Sequence, residues 1–282
     1  MKLVKFGYSL AVYGLFLGVF TYLVLFIGAS PMSAYLPVFN LLKSVDDGRA
    51  LFAIPGLPAV VCNVVLLLAF AIQHSVMARK EFKAVITKLV PEDLERSTYV
   101  LMTCLVLSWI YLAWQPIPAV IWHAQGALSV VLLGIFLAGA ALVLWSTFMI
   151  SHWQLFGLAQ AWHGLQGTQL AEEPFSEPAL YKYSRHPMYL GVLMVLWATP
   201  VMTAGHLLLA GIWSIYVFLG IGYEERDLLE QFGDSYRDYI ARVPQILPLG
   251  VRSQKATPES DAAQLKLPSQ EQSTAPLQPR DE

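Results

Sequence analysis

Lys, Arg, Asp and Glu divide the chain into long uncharged runs, and those runs count its spans. Thirty-seven uncharged residues separate Lys5 from Lys43. About 20 helical residues cross a ~30 Å hydrocarbon core, so Gly7–Ala29 predicts one span. A secretory signal core would usually be shorter, and no small-residue cleavage site is clear. The run Leu51–Ala78 predicts a second span over about Leu57–Ser75. From Ser97 to Ala171 there are 75 residues without a charge, broken at Gln115-Pro116-Ile117-Pro118. That run predicts spans at Tyr99–Trp114 and Gly126–Ile150. A final 37-residue run, Pro187–Tyr223, breaks near Thr203-Ala204-Gly205-His206. It predicts a helical hairpin with two legs of about 18 residues, each long enough to cross. The expected fold is an all-α polytopic membrane helical bundle of five to six spans.

Composition agrees with that pattern. Of 282 residues, 56% are hydrophobic and 13% charged, about half the charge of a soluble domain, and mean hydropathy is +0.53. A net charge of −2 provides no basic field for nucleic acid. Cys62 and Cys104 sit in apolar runs and read as small hydrophobes. The basic residues set the orientation. Lys2, Lys5, the Arg79–Arg96 loop, Lys182, Arg185, Arg226, Arg237 and Arg242 share one side of a six-span chain, so both termini are expected in the cytoplasm, in an inner membrane of bacterial type. Residues 1–250 form the membrane domain. Residues 251–282 lack aromatics and carry four prolines, a composition expected to remain a disordered cytoplasmic tail.

Candidate chemistry gathers at one end of the hairpin. Tyr181-Lys182-Tyr183-Ser184-Arg185-His186-Pro187-Met188-Tyr189-Leu190-Gly191 leads into its first leg. A proline in the first helical position pre-sets the backbone, and the N–H groups behind it suit a carboxylate. The second leg returns with Glu224-Glu225, so an anion-friendly helix start lies beside two carboxylates, as a zwitterionic amino-acid moiety requires. From spacing alone, Arg185-His186 also reads as a positive-inside anchor and the acid pair as a solvated helix end. His152, at the end of the fourth span, reads either as an interfacial cap or as a proton acceptor. His74 reads as a helix-end or interhelical partner, His163 is undecided, and no residue grouping has metal-ligand spacing.

The ordered set RHPxYxG (Arg185–Gly191), Glu224-Glu225, FGxxYxxY (Phe232–Tyr239) and Val243-Pro244 resembles the isoprenylcysteine carboxyl methyltransferase family. That resemblance implies S-adenosylmethionine bound at the mouth of the hairpin by Tyr181, Arg185, His186, Pro187, Met188, Tyr189, Glu224 and Glu225, with Glu224 holding the cofactor's amino group. His152, read from its place at the end of the fourth span, is the candidate for taking a substrate proton. Prenylcysteine enzymes carry a carboxylate-binding arginine four residues before that glutamate. Here the position is Gly220, which disfavours a prenylated cysteine acid. Phe148–Leu158, Gln73-His74-Ser75 and Trp197-Ala198-Thr199-Pro200 narrow the resemblance to the bacterial methanethiol S-methyltransferases, with NnrU-like membrane proteins sharing the Gln-His-Ser element. The expected function is methylation of a small thiol, methanethiol, to dimethyl sulfide within the lipid bilayer. Methylation of a prenylcysteine or lipid, and a non-enzymatic NnrU-like role, are the alternatives.

Overall fold

The structure is a computed structural model that describes residues 2–47, 50, 56–171 and 174–249. The tail expected at 251–282 lies outside the described residues. Among the described residues, five helices are long and apolar enough to cross a membrane: α1 (Lys2–Met32), α2 (Ala59–Ala78), α4 (Glu92–Ala113), α5 (Gly126–Ile150) and α9 (Ala204–Phe232). Among the described residues the remaining helices are α3 (Lys80–Ile86), α6 (His152–Leu155), α7 (Leu158–Gln166), α8 (Pro187–Trp197) and α10 (Asp234–Arg242), with two 3-10 turns. This is an integral membrane helical bundle.

Each expected span contains a helix, and the ends differ for physical reasons. The third span begins at Glu92 rather than Tyr99, because Glu92, Asp93 and Glu95 occupy its first turn, where acidic side chains favour the helix dipole. The hairpin legs are unequal. α8 has 11 residues and α9 has 29, so α8 is only ~16 Å long and covers about half of the core. Pro200 biases Thr199 toward extended backbone and the chain leaves the helix at Ala198. Val201–Thr203 (β2) then pairs antiparallel with Val120–His123 (β1) in the loop joining α4 to α5. Thr203 caps α9 by accepting from the His206 N–H. α9 passes through Glu224-Glu225 without ending, so the acid pair lies inside a helix and not at its end.

The short leg is held by close backbone approach. α8 packs chiefly on α5, where Gly139 and Gly191 face one another. A Cβ on Gly139 would lie 2.8 Å from the Gly191 carbonyl oxygen, and one on Gly191 would lie 2.7 Å from that of Gly139. Only paired glycines allow this spacing, a device common between membrane helices. The apolar core around Phe26, Leu67, Ile110, Trp114, Phe136 and Leu196 ties α1, α2, α4, α5 and α8 together.

Candidate functional site

The start of α8 is clamped from outside the bundle. The N–H groups of Arg185 and His186 donate to the carbonyls of Pro244 (3.0 Å) and Gln245 (3.1 Å). The Tyr239 hydroxyl donates to the Tyr181 carbonyl at 2.5 Å. Tyr236 and Tyr239 are buried against Phe175 and Phe232. The FGxxYxxY and Val-Pro elements therefore act as a brace that fixes the RHPxYxG turn.

Charge is divided unequally over the acid pair. The Arg185 Nε donates to Glu225 Oε1 at 2.9 Å. Its Nη1 donates to the carbonyls of Ile240 and Val243, both at 3.0 Å. His186 Nε2 lies 3.0 Å from the same Glu225 oxygen, and the Gln245 amide donates to Glu225 Oε2 at 3.3 Å. Glu225 is thus committed to three protein partners. Among the described residues Glu224 has a basic neighbour in His186 Nδ1, at 3.9 Å. Its side chain is 42% exposed against 16% for Glu225. Glu224 borders a cavity of about 220 Å³ together with Tyr181, Arg185, Phe175 and Phe232. Burial, with Glu224 adding to it, raises the pKa of the Tyr181 phenol, which therefore stays a protonated donor. Pro187 takes the first helical position as expected. Gly220 faces this site: a Cβ there would meet the Tyr189 hydroxyl at 3.8 Å.

A second cavity, about 230 Å³, lies between α1, α4 and α5 and reaches Met188. Its walls are apolar apart from His74, Arg96, Tyr99, Thr103, Cys104 and Thr147. Arg96, Tyr99, Val100, Thr103, Cys104 and Leu107 of α4 all line it, a spacing that repeats on one face of a helix. That stripe was the signal available in the sequence for residues otherwise missed. His74 bonds across to the Tyr99 hydroxyl at 2.9 Å, the interhelical contact expected of it.

His152 lies apart from the Arg185–Glu225 cluster in the bonds it makes. Its Nε2 bonds the Tyr13 hydroxyl and its Nδ1 the Thr147 hydroxyl, both at 2.8 Å. Its ring stacks on Phe148 with centroids 3.9 Å apart. Burial lowers its pKa and holds it neutral. It borders neither of these cavities, and it reaches the second one through Thr147. Among the described residues no group of His, Cys, Asp and Glu gathers to hold a metal ion.

Comparison with known proteins gives the chain its relatives. Over 242 residues it is 45% identical to methanethiol S-methyltransferase of Mycobacterium tuberculosis, covering 86% of this chain and 94% of that one. It is 43% identical to methanethiol S-methyltransferase 1 of Bradyrhizobium diazoefficiens over 248 residues, 88% of this chain and 83% of that one. To methanethiol S-methyltransferase of Pseudomonas deceptionensis it is 44% identical over 210 residues, 73% and 78% of the two chains. No family model matches the chain, and no solved structure does. Identity at this level spans the hairpin, its brace and the cavity-lining helix α4 together, and on that ground the chain belongs to the methanethiol S-methyltransferase family.

Proposed function

We propose that this membrane-embedded methyltransferase transfers a methyl group from S-adenosylmethionine to methanethiol, yielding dimethyl sulfide. The observation that carries the reaction is the 45% identity across 94% of a relative bearing that name. The prenylcysteine, lipid and non-enzymatic readings are not favoured by these relatives.

The cofactor assignment rests on the chain's own residues. Glu224 is a carboxylate with spare acceptor capacity, suited to an ammonium group. The Met188 and Tyr189 N–H groups stand in the first turn of α8, where a helix leaves donors without internal partners, and they suit a carboxylate. Phe175 and Phe232 supply aromatic walls beside the Tyr181 phenol. Those features fit S-adenosylmethionine, which when bound supplies an electrophilic methyl group on a positively charged sulfur. Arg185, His186 and Glu225 then hold the shape of the turn, and Pro187 fixes where the helix begins. At Gly220 the arginine that prenylcysteine enzymes use for a substrate carboxylate is missing, which suits a small neutral thiol. The expectation for His152 becomes a proton relay through the Thr147 hydroxyl.

In this reading both termini face the cytoplasm of a bacterial inner membrane, and reporter fusions after Lys2 and Leu249 should both register there. The deciding experiment supplies membranes containing the protein with methyl-labelled S-adenosylmethionine and either methanethiol or a prenylated cysteine acid. Label is expected in dimethyl sulfide. Label in the prenylated acid with none in dimethyl sulfide would overturn the substrate.

A further inference from the structure

Building on the proposed methyl transfer, we infer that the thiol occupies the 230 Å³ cavity between α1, α4 and α5 and surrenders its proton to His74. The cavity has the right character for such a guest. Phe16, Val19, Leu107 and Phe156 contribute to its largely apolar lining. An apolar cavity of ~150 Å³ accepts a molecule the size of benzene, so this one holds a thiol of a few heavy atoms. Met188 closes one part of its wall. The guest therefore reaches the first turn of α8, the turn whose N–H groups are assigned to the cofactor's carboxylate.

The polar groups of that cavity are arranged to accept a proton. The Thr103 hydroxyl donates its hydrogen to the Tyr99 carbonyl at 3.0 Å. Its lone pairs remain for His74 Nδ1, 3.4 Å away, and the Tyr99 hydroxyl lies 2.9 Å from both ring nitrogens; a neutral imidazole keeps one of those nitrogens without a hydrogen, and that nitrogen is the base. The Tyr99 hydroxyl, 2.9 Å from the ring, and Phe70, stacked on it at 5.2 Å, fix the imidazole in place. The titratable and charged groups around His74 are Glu95, Arg96, Tyr99 and Cys104 on α4 and Tyr216 on α9, with Tyr189 of α8 beyond Tyr99. Arg96 also lines the cavity, its guanidinium 4.8 Å from the Tyr99 ring centroid, and its positive charge favours a thiolate over a thiol.

The step balances. The S–H bond breaks and its proton passes to the His74 ring nitrogen that carries no hydrogen. The thiolate sulfur forms a bond to the donated methyl carbon, and the electron pair of the broken S–C bond stays on the departing thioether sulfur. The positive charge formerly on that sulfur is then carried by the imidazolium. His152, which does not line this cavity whereas His74 does, bonds Tyr13 and Thr147 and is a positioning residue for Thr147 in this scheme, so the relay considered for it above is replaced by direct transfer to His74.

The test uses the full chain in lipid nanodiscs, with dimethyl sulfide measured by gas chromatography and S-adenosylmethionine binding by calorimetry. His74→Ala should lower kcat about a hundredfold or more with cofactor affinity unchanged. Its rate should climb with pH toward the thiol pKa, where the wild-type rate levels off. Val100→Ala, which enlarges the cavity mildly, should raise kcat/KM for propanethiol relative to methanethiol about tenfold. Without cofactor, dimethyl sulfide should raise the Tm of the wild-type chain and not that of Val100→Phe, whose ring fills the space. A His74→Ala chain that binds cofactor and keeps the wild-type kcat and pH profile overturns the proton role, as does a loss confined to His152→Ala. Unchanged thiol preference in Val100→Ala overturns the cavity assignment. A wild-type chain that binds S-adenosylmethionine yet never methylates methanethiol overturns the parent reading, a result distinct from the others.

Discussion

At the tip of the α8–α9 hairpin a buried histidine and carboxylate, His206 and Asp46, lie 3.7 Å apart; at its mouth His186 and Glu225 lie 3.0 Å apart. The tip closes on itself. Thr203 donates to Asp46 and accepts from the His206 N–H, His206 Nε2 bonds the Leu196 carbonyl, and β1–β2 pins the turn. His206 is 0% exposed and Asp46 5%. The mouth satisfies one carboxylate the same way, through Arg185, His186 and Gln245, and then adds a second, Glu224, that the protein leaves partly open. A buried histidine–acid pair is thus common to anchor and site. What distinguishes the site is the surplus carboxylate on a cavity wall.

The sharpest way to break that comparison is to remove the committed carboxylate. In Glu225→Ala the Arg185 guanidinium, 9% exposed, loses its counter-charge and keeps only carbonyl partners. Stranding a buried charge costs about 3–5 kcal/mol, equivalent to a fall in Tm of roughly 6–20 °C for a domain of this size. Glu224→Ala should leave Tm nearly unchanged in the same thermal melt. Equal falls in both variants would erase the division between brace and ligand carboxylate.

The surplus carboxylate should show itself in binding instead. Glu224→Gln removes a charge-assisted hydrogen bond worth about 1.5–3 kcal/mol, so calorimetry should find S-adenosylmethionine bound about ten- to a hundredfold more weakly. Wild-type affinity in this variant would move the ammonium site elsewhere.

How much of this arrangement could be read in the sequence depends on the kind of pattern involved. Uncharged runs mark spans because a membrane excludes charge, and Gly126–Ile150 coincides with α5. They do not mark lengths where charged residues continue the helix, as at Glu92 or beyond Tyr223. Adjacent residues in a helix project about 100° apart, so Glu224 and Glu225 had to face different surroundings once α9 was known to continue through them. Treating them as a helix end concealed that. The pairing of β1 with β2, and of His74 with Tyr99, joins segments far apart in the chain, and no local periodicity announces such meetings. The brace was visible as a motif, and its bracing role needed the Tyr239–Tyr181 bond.

A smaller effect separates His152 from both pairs. Burial holds its pKa below the ordinary 6.5, so the folded chain keeps the ring neutral between Tyr13 and Thr147. As pH falls past 6.5 the unfolded chain takes up the proton first, and stability declines from there down to the folded pKa. Above 6.5 this contribution is fully present and flat. In Tm measured from pH 8 to pH 5, the wild-type chain should lose stability at the acid end more steeply than His152→Gln, which has no proton to bind. Parallel curves would mean that the ring is charged in the folded chain.

The smallest effect belongs to the tip. Asp46 Oδ1 accepts from the Thr203 hydroxyl at 2.7 Å, and an amide oxygen accepts the same bond. Among the described residues Asp46 Oδ2 and His206 Nδ1 have no hydrogen-bond partner, so an asparagine N–H₂ in place of Oδ2 breaks no bond there. Asp46→Asn should therefore change Tm by no more than about 3 °C, the equivalent of one neutral hydrogen bond of ~1 kcal/mol, and leave cofactor affinity and methyl transfer as in the wild type. Placed beside Glu225→Ala, it separates a carboxylate that serves as a hydrogen-bond acceptor from one that must balance a cation. If Asp46→Asn instead abolished turnover while the protein stayed folded, the tip would carry chemistry, and the contrast between the two ends of the hairpin would fail.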